Sequence, residues 1–136
     1  MPMTPSELNR CTRHLQKALP ELQAVYLFGS QADGSAGAAS DVDLAILLPS
    51  PLTADRRWAL AGQLAALLDR DIDLVDLREA STVMQHQVLT EGRALWRRDL
   101  QVEEFELAAL SEYWDLAILR RDLIDDIKQR GRIHGG

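Results

Sequence analysis

The sequence predicts an α/β domain in which short strands alternate with helices and one long helix closes the chain. Three observations carry this expectation. Runs of Val, Ile, Leu, Phe and Tyr only a few residues long recur near 22–28, 41–48 and 71–77, the length and composition of strands. Helical patterns fall between them, and from about 101 to 130 neither Pro nor Gly interrupts apolar residues spaced in helical steps. With 136 residues and 46% hydrophobic content, the chain is expected to form one domain with one core.

Taken in order, Thr4-Pro5-Ser6-Glu7 reads as a helix start. Thr4 can cap free amides, Pro5 suits the first helical position and Glu7 completes the reciprocal pair; the helix should run to about Leu19, where Pro20 stops it. LQAVYLF follows as a strand ending at Gly29. Residues 30–40 are Ala, Gly, Ser, Asp and Gln, too polar for a core element, although Ser30 can open a short helical turn. A strand from Asp41 to Leu48 closes at Pro49-Ser50-Pro51. The next helix places Trp58, Leu60, Ala61, Leu64, Ala65, Leu67 and Leu68 at helical spacing. DIDLVDL at 71–77 is a third strand. A helix from Ser81 or Thr82 to Glu91 should end at Gly92 in a left-handed conformation, and ALWRR makes a short fourth strand. The last helix, expected to stop at Gly131, can span ~45 Å at 1.5 Å per residue. That length overhangs so small a domain, so part of the helix should meet a partner. Trp58 and Trp96 are expected in the core, Tyr26 in a structural role, and Tyr113-Trp114 either in the core or at an interface.

Charge and cysteine content exclude several classes of function. A formal net charge of −6 disfavours direct binding to nucleic acid, because phosphates would meet a repulsive field. Cys11 is the single cysteine, which rules out an intrachain disulfide and a cysteine-based zinc site. No stretch approaches the ~20 apolar residues of a membrane span, and the start of the chain lacks a signal-peptide layout, so a soluble cytoplasmic protein is expected. His14 and His86 lack metal-ligand spacing.

The chemistry lies in FGSQADGSAGAASDVDL, residues 28–44. Residues two apart on a strand share a face, so Asp41 and Asp43 project together while Val42, Leu44 and Ile46 point to the packed side. Two carboxylates held that close repel, and a divalent cation turns the repulsion into attraction. Asp71 and Asp73 repeat the alternation on the next strand, and one of them can complete a three-carboxylate cluster. Hard oxygen ligands suit Mg²⁺ or Mn²⁺. Gly29 permits close backbone approach and Ser30 offers a hydroxyl and amide donors to an anion. No Lys follows the glycine-rich loop in the order a P-loop requires.

Gly29-Ser30, ten residues, then Asp41-x-Asp43 resembles the signature of the polymerase-β-like nucleotidyltransferase superfamily. Within it the short chain, IDLVDL and TEGRALWRRD resemble the minimal nucleotidyltransferases, in particular the MntA-type antitoxins paired with HEPN ribonuclease toxins. The resemblance implies an α/β (α+β) nucleotidyltransferase fold with a mixed β-sheet flanked by helices. Its catalytic core would occupy about 22–98 of a single domain spanning 1–136, followed by a C-terminal helical segment at about 100–130. It further implies Asp41, Asp43 and Asp73 as catalytic and metal-binding residues, with Asp41 and Asp43 binding two Mg²⁺ ions, Asp73 as the third carboxylate, and Asp71 and Asp76 as alternatives to Asp73. Gly29, Ser30 and Ser40 would contact the nucleotide, and ATP would be the substrate. The implied activity is AMP transfer to a tyrosine hydroxyl of a HEPN toxin, docked through the C-terminal helix. Two other readings are a non-catalytic antitoxin that acts by docking, and transfer to a small molecule such as an aminoglycoside. Gln31 and Asp33 stand where relatives often carry basic residues, a departure that bears on nucleotide affinity.

Overall fold

A computed structural model describes the backbone of residues 3–33 and 41–134, and the side chains of 3–32 and 41–129. In chain order the elements are α1 (Pro5–Ala18), β1 (Ala24–Phe28), α2 (Ser30–Asp33), β2 (Val42–Leu47), α3 (Ala54–Leu68), β3 (Ile72–Asp76), α4 (Thr82–Glu91), β4 (Arg93–Arg97) and α5 (Leu100–His134). The capping box forms as its residues predict. Thr4 Oγ1 accepts the Glu7 amide and Glu7 Oε1 accepts the Thr4 amide, both at 3.2 Å, which satisfies donors that a helix start otherwise leaves open.

The strands make one mixed sheet in the order β3-β2-β1-β4. β1 pairs antiparallel with β2 and β4, whereas β2 and β3 run parallel. A parallel pair needs a crossover, and α3 supplies it. One face of the sheet, with Val42, Leu44, Ile46 and Leu74, packs against Leu8, Cys11 and Leu15 of α1 and Leu60, Leu64 and Leu68 of α3. The other face, with Tyr26, Phe28, Ala45 and Leu47, packs against Val88 of α4 and Val102 of α5. Because both faces are covered, β1 is buried at all five positions and reads as a continuous apolar run, with no alternation of polar residues. Each fully buried Leu or Val contributes about 1.5–3 kcal/mol, so the two layers together hold the strand ends in place.

Three expectations are corrected. Trp58 is 83% exposed, because α3 turns Leu60, Leu64 and Leu68 inward at i, i+4 spacing and a residue two before Leu60 falls on the opposite side. Gly92 ends α4 in an extended conformation, φ −85° and ψ −177°, and its smallness serves a close approach. A Cβ there would overlap the Val88 carbonyl oxygen and lie 2.8 Å from that of Leu27. The left-handed helix end belongs to Asp69 instead, which caps α3 at φ 53°. The third correction is the length of α5, which continues through Gly131 to His134. Trp96 is partly buried against the α1 side of the core.

α5 begins against the sheet and then leaves it. Tyr26 Oη donates to Glu106 Oε1 at 3.0 Å, and Arg97 donates to both Glu106 oxygens at 2.6 and 3.2 Å. This ties β1, β4 and α5 together. Further along, the His86 ring of α4 stacks on Tyr113 with centroids 3.6 Å apart. No helix among the described residues is long and apolar enough to cross a membrane.

Candidate active site

Strand register brings the key residues together. Asp43 on β2 lies opposite Phe28, the last residue of β1, and on its other side is in register with Asp73 of β3. Gly29 follows Phe28 directly, so the Gly-Ser turn and two carboxylates meet at one end of the sheet. Asp41 precedes β2 and shares its parity with Asp43. Asp41 and Asp73 are exposed and Asp43 is half-buried. Val42, Leu44 and Ile46 pack into the opposite face, which fixes the direction in which Asp43 points, since a one-residue slip would turn the carboxylate into the apolar layer against α1 and α3.

Gly29 adopts φ +70°, a region that L side chains rarely enter. A Cβ at this position would overlap the Asp43 carboxylate. Glycine is therefore required twice, for the backbone turn and for the space that Asp43 occupies. Ser30 opens α2, and the Gly29 carbonyl accepts the Ala32 amide at 3.1 Å. Burial pushes the Asp43 carboxyl above its ordinary pKa, and the charges of Asp73 and then Asp41 push it in the same direction. Both neighbours act on Asp43 in the same direction, and that repulsion is what a cation would relieve.

Donor chemistry fits a hard divalent ion, since every candidate ligand is a carboxylate oxygen. Among the described residues no three His, Cys, Asp or Glu side chains already stand in metal-holding geometry. The alternatives to Asp73 are placed differently. Asp76 is buried, and its carboxylate accepts the Leu52 amide at 2.9 Å and the Arg78 amide at 3.1 Å, a structural task at the far end of β3. Asp71 lies before β3, and its carbonyl accepts the Val42 amide at 2.9 Å. Ser40 falls outside the described residues, as does the side chain of Asp33. Neither histidine named above joins the carboxylates: His14 bonds Gln63 and His86 stacks on Tyr113.

Gln31 turns back toward the N-terminal segment. Its Oε1 accepts the Met3 amide at 2.9 Å, a contact between residues 28 apart that sequence inspection does not reveal. The steric fit between Gly29 and Asp43 was foreshadowed by a glycine at a strand end, although its partner was not.

Taken together, a mixed sheet with a Gly-Ser turn facing strand-borne carboxylates defines a nucleotidyltransferase, and the chain belongs to that family: the polymerase β, nucleotidyltransferase family pattern matches residues 9–101. Among its relatives, the protein adenylyltransferase MntA of Shewanella oneidensis is 43% identical over 119 residues, covering 88% of this chain and 86% of the relative. A solved toxin–antitoxin structure with AMP-PNP contains a chain 42% identical, with a TM-score of 0.80, covering 89% of this chain and 98% of that one. A tri-AMPylated Shewanella oneidensis HEPN toxin in complex with its MNT antitoxin also contains a similar chain, 40% identical with a TM-score of 0.75, covering 93% of this chain and 99% of that one.

Proposed function

We propose that this chain is a cytoplasmic antitoxin that transfers AMP from ATP to a tyrosine hydroxyl of a partner HEPN ribonuclease, with Mg²⁺ as cofactor and the C-terminal helix as the docking element. The observation that carries this reading is the registered pair Asp43 and Asp73 beside the Gly29 turn. The 43% identity to a protein adenylyltransferase and the likeness to an antitoxin bound to an AMPylated toxin support the acceptor.

In this reading the Gly29-Ser30 turn seats the triphosphate through the Ser30 hydroxyl and backbone amides. Asp41, Asp43 and Asp73 would hold magnesium, with manganese as a substitute. When bound, the metal supplies charge neutralisation at the phosphoryl oxygens and lowers the pKa of the attacking hydroxyl. The tyrosine oxygen forms a bond to the α-phosphorus in line with the breaking bond, and pyrophosphate departs with that electron pair. In the same reading Asp73, exposed on the edge strand, helps accept the hydroxyl proton. The modified tyrosine then carries a phosphodiester, whose charge and bulk obstruct RNA.

One observation favours a second reading, docking without chemistry. Gln31 supplies no positive charge at the turn and is engaged with Met3. Labelled ATP with Mg²⁺ and the co-purified partner separates the two: transfer labels the partner, whereas docking alone leaves it unlabelled.

A further inference from the structure

α2 is a single turn of four residues, Ser30–Asp33, too short to hold its shape without help from the rest of the fold. Ala32 packs against the core layer beneath α1 and α3. The Gln31 Oε1 accepts the Met3 amide at 2.9 Å, which ties α2 to a segment far away in sequence. Met3 is itself anchored, since its side chain packs on the same core layer and the next residue, Thr4, is fixed by the capping box of α1. A main-chain N–H can only donate, so the oxygen of the Gln31 amide must face Met3 and its nitrogen must point elsewhere. That nitrogen is buried and meets no acceptor among the described residues. A buried donor left unpaired weakens a fold, and an apolar side chain of the same length would serve packing better here. What the amide alone provides is the grip on Met3.

We propose that Gln31 is a positioning residue for nucleotide binding, which holds Ser30 in place through its bond to the Met3 backbone and makes the segment ahead of α1 part of the nucleotide seat. The proposal rests on the AMP-transfer reading above. Gly29 directly continues β1, buried at all five positions, whereas Ser30 lies beyond the strand and depends on α2. Asp43 is fixed separately, by its register with β1 and β3. Loosening α2 should therefore weaken the hold on ATP and leave the carboxylates where they are. A neutral amide at position 31 contributes geometry where a cation would contribute charge.

The test measures AMP transfer to the partner toxin with Mg²⁺ present and ATP varied. Gln31→Met keeps the length of the side chain without an acceptor, and Met3→Pro removes the N–H from the other side. Each should raise KM for ATP about fivefold, the factor that one hydrogen bond contributes. In both, kcat should stay within about twofold of the parent, and Gln31→Met should keep the parental melting temperature. The two combined should be no worse than either alone, because both break the same bond. Met3→Ala keeps the N–H and should fall well short of Met3→Pro. A readout apart from activity is hydrogen exchange at the Ala32 amide, which donates to the Gly29 carbonyl at 3.1 Å and should exchange faster in Gln31→Met and Met3→Pro. Parental KM or unchanged exchange in Gln31→Met overturns the proposal and leaves the proposed function standing, as does a double variant whose effects add in full or a Met3→Ala as impaired as Met3→Pro. A wild-type chain that leaves the toxin unlabelled defeats the function, and this proposal with it.

Discussion

Replacing Gly29 by alanine tests how the turn and the carboxylate depend on each other. Two costs arise. The backbone at φ +70° disfavours any L side chain by about 1–2 kcal/mol, and the new methyl overlaps the Asp43 carboxylate, adding roughly 1–2 kcal/mol as the side chain or strand shifts. Their sum, about 2–4 kcal/mol, should lower the melting temperature by roughly 6–16 °C for a domain of this size. Displacing Asp43 by about 1 Å should also cost about a hundredfold in AMP transfer. Gly62 is the control. It lies inside α3 with nothing within 4 Å of the point a methyl group would occupy, so Gly62→Ala should raise stability by about 0.5–1 kcal/mol. In an Asp43→Ala background the overlap disappears but the backbone cost remains, and Gly29→Ala should then cost only about 1–2 kcal/mol. Thermal unfolding of the four variants, with labelled-AMP transfer on those retaining Asp43, decides the matter. Parental stability and activity in Gly29→Ala would refute the reasoning.

Asp41→Asn with Asp43→Asn should leave the metal-free fold at least as stable as the parent at neutral pH. The Asp43 pKa is raised by burial and by its acidic neighbours, so its ionised form weakens the fold above the ordinary carboxylate range, and the gain from Asn should fade as pH falls below that range; denaturant melts at several pH values read it. Tyr26→Phe removes the hydroxyl that donates to Glu106 and should cost about 1–2 kcal/mol. Burial, then the Glu106 charge, raises the Tyr26 pKa above 10, so the folded state favours the protonated phenol and stability should fall as pH rises past about 10. The Phe variant should show a shallower alkaline decline. Trp58→Ser should change stability by no more than about 0.5 kcal/mol, because the ring is almost wholly exposed; a loss of several kcal/mol would place it in the core after all.

Local chemistry was legible in the sequence wherever one segment carried the whole signal. The Thr4–Glu7 cap, the order of strands and helices, and the common face of Asp41 and Asp43 each depend on residues close in sequence. Pairings across the chain were less accessible. Asp43 meets Asp73 through strand order and parallel register, which no single run of residues specifies, and Glu106 joins Tyr26 across 80 positions. Trp58 misled because both sides of α3 carry apolar residues, and only packing against α1 and the sheet selects Leu60, Leu64 and Leu68. Gly92 misled because a glycine at a helix end signals either a left-handed turn or a close approach, and the neighbours that decide between them, Leu27 and Phe28, lie on another strand.

The mass of the partner toxin after incubation with this chain, ATP and Mg²⁺ tests the central claim most directly. The account requires the toxin to gain one or more AMP groups on tyrosine and to lose ribonuclease activity, with neither change when Asp41 and Asp43 are both Asn. A toxin silenced by the wild-type chain while its mass stays unmodified, or an Asn double variant that still transfers AMP at the parental rate, would contradict it.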